Sequence, residues 1–158
     1  MKRLLLFLLI ITSFTAYAQK SGFRYYRASA DRFGSDNPVV FGQMLARQYN
    51  LNESAIGDLH KKFNGNWGDL ALGLEMGNLS KKPMYTVVGA YEKNQGWGNI
   101  AKDLGIKPGS EEFHRMKKEL NQRNSEWSRE WNKKGSSSGE KNSKKAFKKS
   151  GSKSKGKK

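Results

Sequence analysis

From Asn37 to Asn132 the apolar residues return every three or four positions, and no segment sustains the apolar–polar alternation of a half-buried strand. That periodicity restricts the chain to helices. Asn37-Pro38 reads as an N-cap followed by a first-turn proline, with Val40, Phe41, Met44 and Leu45 behind it at helical spacing. Asn52-Glu53 opens a second helix with Ile56, Leu59 and Phe63 on one side, and Trp67, Leu70, Ala71 and Leu74 mark a third. Pro83 fits the first turn of a fourth, carrying Met84, Val87, Val88 and Tyr91, and Trp97, Ile100, Ala101 and Leu104 mark a fifth. After the Pro108-Gly109 break, Ser110 caps a sixth helix. Its Glu111 and Glu112 suit the positive end of the helix dipole, and Phe113, Met116, Leu120, Trp127 and Trp131 form its apolar edge. The expected fold is all-α, a small irregular bundle of about five or six helices over residues 37–132.

Within that span the chain resembles itself. "WGDLALGLEMG" from Trp67 and "WGNIAKDLGIK" from Trp97 share Trp67 with Trp97, Gly68 with Gly98, Ala71 with Ala101, and Leu74 with Leu104. The spacing is 30 residues, the length of a helical hairpin, so an internal repeat is expected. The second copy also reads as the first half of a helix-turn-helix, with Ile100, Leu104 and Ile106 at the helix crossing, Ala101 small and Gly105 in the turn. The next helix argues against DNA reading. Its amino end, which would face bases and phosphates, is Ser110-Glu111-Glu112, two carboxylates against a polyanion. The tryptophan, alanine and leucine are better read as a packing hinge.

The stretch "GWGNIAKDLGIKPGSEEFH", with "VVFGQMLARQYNLNESAIGDLHKKFNGNWGDLALGL" before it, resembles a group of small exported bacterial helical proteins of unknown function that share a W-G-x-[IL]-A-x-x-L-G signature and often carry basic or low-complexity tails. The resemblance covers about residues 37–120. It implies an exported, helical, bacterial protein and supplies no catalytic residue.

The two ends have different textures. Lys2 and Arg3, the apolar run Leu4–Ile11 and the small residues of Ala16-Tyr17-Ala18 form the three parts of a cleavable secretory signal over residues 1–18. The span from Leu4 to Ala18 is 15 residues, short of the roughly 20 that a spanning helix needs. A periplasmic or extracellular location is expected, with no transmembrane segment in the mature chain. Residues 19–36 form a basic, aromatic arm: Phe23, Tyr25, Tyr26 and Phe33 stand among Arg24, Arg27 and Arg32. The rings are expected to pack on the bundle and the arginines to stay in water.

The charge sits at the other end. The chain carries +16 in all, or +14 without Lys2 and Arg3. Residues 133–158 hold eleven lysines (Lys133, Lys134, Lys141, Lys144, Lys145, Lys148, Lys149, Lys153, Lys155, Lys157 and Lys158) against a single acid, Glu140. That leaves +10 on the tail and +4 on residues 19–132. A stretch of Lys, Ser and Gly with one aromatic residue, Phe147, cannot bury enough surface to offset the entropy of ordering, so a disordered tail is expected. Its expected partners are polyanions, bound without sequence preference: surface polysaccharide, the anionic envelope or nucleic acid.

Catalytic chemistry finds little support. The absence of cysteine excludes disulfides, thiolate metal sites and a lipidated amino-terminal cysteine. His60 and His114 lack the i, i+4 partner of a helical zinc site, and no nucleophile elbow or phosphate loop is present. Asp58 and Asp69 stand apart from other acids. The sequence therefore points to no cofactor, no metal and no catalytic residue. It favours an exported non-enzymatic polyanion binder over the alternative, a small extracytoplasmic enzyme or inhibitor with an incidental solubilising tail.

Overall fold

The computed structural model describes residues 23–150, with side chains described through Lys133. The proposed signal segment, residues 19–22 and residues 151–158 lie outside the described residues. Seven helices and no strand occur among the described residues: α1 (23–36), α2 (Pro38–Gln48), α3 (Glu53–Lys62), α4 (Trp67–Ser80), α5 (Met84–Glu92), α6 (Trp97–Asp103) and α7 (Glu111–Ser150). The all-helical class is as the periodicity implies. The chain divides into two units, the first ending at Asn124 and the second beginning at Ser125.

Asparagine sets most of the boundaries. The side chains of Asn37, Asn52 and Asn66 accept hydrogen bonds from the backbone N–H groups of Val40 (3.1 Å), Ala55 (2.7 Å) and Asp69 (2.7 Å), capping α2, α3 and α4. Asn50, Asn64 and Asn94 take the left-handed conformation just beyond α2, α3 and α5, a region that asparagine tolerates better than most side chains. Asn50-Leu51-Asn52 and Asn64-Gly65-Asn66 thus stop one helix and cap the next within three residues. Each helix from α2 to α5 packs on its successor.

The amino-terminal arm is a helix. Phe23, Tyr26, Ala30 and Phe33 recur three or four apart, and all four are buried. The rings pack as expected, apart from Tyr25, which is exposed. At the centre of the first unit lies α4. Eleven of its fourteen residues are buried, because a helix that is apolar on all sides must be enclosed on all sides. Close packing needs its glycines: a Cβ at Gly73 would stand 2.6 Å from the Phe63 ring. From α7, Phe113, Met116 and Leu120 complete the core. The helical backbone of α7 continues to Ser150, well past the boundary expected at residue 132.

Candidate functional site

The two proposed repeats begin alike and then part. Trp67 and Trp97 each occupy the first position of a helix, and Ala71 and Ala101 are both fully buried. Leu74 continues α4, whereas Leu104 already closes α6, a helix of seven residues. Their surroundings differ as well. Trp67 stacks on His60 at a centroid distance of 3.9 Å and meets Phe41 edge-on at 5.6 Å. Trp97 lies near Phe63 and Tyr91 and donates its indole N–H to Asp69 Oδ1 at 2.8 Å. Both indoles are half-buried rather than enclosed.

Their glycines also differ. A Cβ on Gly68 would fall 2.5 Å from the Arg27 carbonyl oxygen and 2.8 Å from Asp31 Oδ2, whereas one on Gly98 would meet nothing within 4 Å. Gly98 thus makes no close approach of the kind seen at Gly68, and a structural repeat is not confirmed. Between α6 and α7 the chain runs from Leu104 to Ser110 with Gly105 and Gly109 both at φ +84°. This connection is longer than the three or four residues of a helix-turn-helix. Ser110 Oγ accepts the Phe113 N–H at 3.2 Å, as the sequence implies.

Two acids on α4 gather the polar side chains of the interior. Asp69, at its third position, is 6% exposed and holds three partners from three other helices. Its Oδ1 accepts from Trp97 and faces Arg27 Nε of α1, and its Oδ2 accepts from the Tyr91 hydroxyl of α5 at 2.9 Å. Arg27 Nε pairs by charge, off the line of its N–H bond. Burial and the bond to Asp69 raise the Tyr91 pKa, so its phenol stays protonated and keeps donating. Beside this group, Asp31 Oδ1 accepts the Gly68 N–H at 2.6 Å, placing a second carboxylate, this one from α1, at the amino end of α4. Asp69 is therefore not isolated, and Arg27 does not simply stay in water.

Two turns along α4, Glu75 is fully buried. Its Oε2 accepts from the Tyr49 hydroxyl at 2.6 Å and faces Arg123 Nε of α7 at 3.5 Å. The Arg123 guanidinium also lies over the Tyr49 ring, 5.8 Å from its centroid. Glu75 Oε1 has no hydrogen-bond partner among the described residues. Burial raises the Glu75 pKa, opposed by the Tyr49 hydrogen bond and the Arg123 charge. Burial also raises that of Tyr49, with Tyr26 and Glu75 adding to it.

These arrangements lock helices together. All the donors on Asp69 come from the fold itself, and the carboxylate is committed to them. His60 is half-buried against Trp67, and burial lowers its pKa. Among the described residues no group of His, Cys, Asp and Glu could hold a metal ion, and no helix is long and apolar enough to cross a membrane.

The proposed polyanion-binding lysines lie elsewhere. Lys133 is exposed and pairs with Glu130 at 3.2 Å. Lys134, Lys141, Lys144, Lys145, Lys148 and Lys149 lie along the backbone of α7, and Lys153, Lys155, Lys157 and Lys158 fall outside the described residues. Compared with family models, curated proteins and solved structures, the chain matches none of them.

Proposed function

We propose that the chain is an exported helical protein whose lysine-rich carboxy-terminal segment attaches it to polyanions outside the cytoplasm. The carrying observation is the division of charge: +10 on residues 133–158 against +4 on residues 19–132. Lysines neutralise the charges of a polyanion and release its condensed counterions, an entropic gain that requires no sequence reading. Within the body, Asp69 joins helices through Arg27, Tyr91 and Trp97. The helical body before residue 133 then serves as the part held in place. Residues 1–18 direct export, and the mature chain begins at Gln19.

Cell fractionation followed by mass spectrometry tests this reading. The expected product starts at Gln19, lies outside the cytoplasm, stays with an acidic polymer at low salt and leaves it at high salt. Full-length protein in the cytoplasm, or retention indifferent to salt, would contradict it.

A further inference from the structure

The tail's lysines follow a helical register. Between Lys133 and Ser150, where the backbone of α7 is helical, lysine occupies 133, 134, 141, 144, 145, 148 and 149. Relative to Lys141 the offsets are −8, −7, 0, +3, +4, +7 and +8. At 100° per residue all seven positions fall within an arc of about 160°. The rest of the circumference is held by Gly135, Ser136, Gly139, Glu140, Asn142 and Ser143, followed by Ala146, Phe147 and Ser150. Only Ser137 and Ser138 interrupt the basic arc. A segment acting by charge count alone has no need to sort its lysines in this way.

From this juxtaposition we infer that residues 133–150 form a one-sided basic helix whose face docks along a linear acidic polysaccharide. The inference rests on the polyanion-binding reading and adds geometry to it. The stripe is about 24 Å long at 1.5 Å per residue. Lysines three or four apart repel one another on a bare helix and weaken it. A row of sulfates or carboxylates along the stripe removes that repulsion, so binding and helix formation reinforce each other. A membrane surface suits the segment poorly: an interfacial helix needs a broad apolar face, and here the opposite side offers only Ala146 and Phe147 among small polar residues. A duplex groove also fits less well, because it presents phosphates to both flanks of an inserted helix, whereas here the basic arc covers less than half of the circumference.

The test uses the full mature chain in four forms: unaltered, Ser143→Pro, Ser143→Ala and truncated after Asn132. Ser143 lies opposite the stripe, so neither substitution changes the charge. Proline removes an N–H and breaks the helix between Lys141 and Lys144. Heparin is titrated at fixed low salt while helicity is followed by circular dichroism. The unaltered chain and Ser143→Ala are expected to gain helicity and to bind alike, and Ser143→Pro to bind about fivefold more weakly with no such gain. If Ser143→Pro binds like the unaltered chain while the truncated chain binds weakly, the stripe is irrelevant and charge alone suffices. If the truncated chain binds as tightly as the full one, the polyanion reading itself fails. Tighter binding to duplex DNA than to heparin, with the same sensitivity to proline, would overturn the choice of occupant.

Discussion

Asp69 and Glu75 sit six positions apart on one buried helix, yet their environments treat charge differently. Asp69 has a cation and two neutral donors around it. Glu75 has a phenol, an arginine at the limit of hydrogen-bonding range and one oxygen without a hydrogen-bond partner among the described residues. Burial of the ionised form outweighs both favourable contacts, so Glu75 takes up its proton at higher pH in the folded chain than in the unfolded one. Between those two pKa values the folded state binds more protons, and stability falls as pH rises through the window. The destabilising share is absent below the unfolded pKa and complete above the folded one. Urea unfolding at about pH 5 and about pH 8, with Glu75→Gln beside the unaltered chain, isolates this share from that of the other carboxylates. The variant is expected to gain on the unaltered chain as pH rises. A gap independent of pH would show that Glu75 titrates normally.

At the scale of the helix, what is legible in the sequence is whatever is local. Asn37, Asn52 and Ser110 mark helix starts because a cap bonds to a backbone N–H only three residues on. The stripe Phe23, Tyr26, Ala30, Phe33 is just as regular, but the arginines interleaved with it obscure α1 and suggest an arm. The Asp69 group is not legible at all, because Arg27, Tyr91 and Trp97 reach it from distant parts of the chain. The repeat misleads for the same reason, since identical letters do not dictate identical neighbours. Gly68 and Gly98 make that difference measurable. Gly68→Ala drives a methyl into the Arg27 backbone and should cost about 1–3 kcal/mol. Gly98→Ala enters open space on a helix and should stabilise by about 0.4–1 kcal/mol. Equal losses in urea unfolding would restore the two copies as structural equivalents.

As a whole, the molecule pairs a body stabilised by packing and two buried polar clusters with a segment whose composition serves attachment. Without cysteine, the body depends on Phe41, Phe63, Leu70 and their neighbours for its cohesion. The basic side chains of residues 19–132 are largely balanced by acids, leaving +4 there, whereas those beyond Asn132 face a single acid and leave +10. Attachment should therefore separate from folding: removing residues 133–158 should leave the body's helicity intact and abolish most of its affinity. Random-sequence duplex DNA serves as the calibrated probe, because each phosphate neutralised adds about 0.9 to the slope of log affinity against log salt. The decisive measurement is that slope for the mature chain and for the chain ending at Asn132, taken from low to physiological salt. Attachment through the lysine-rich segment requires a slope flatter by several units after truncation, with weak residual binding. Equal slopes and equal affinities would place the binding surface on the body and contradict it.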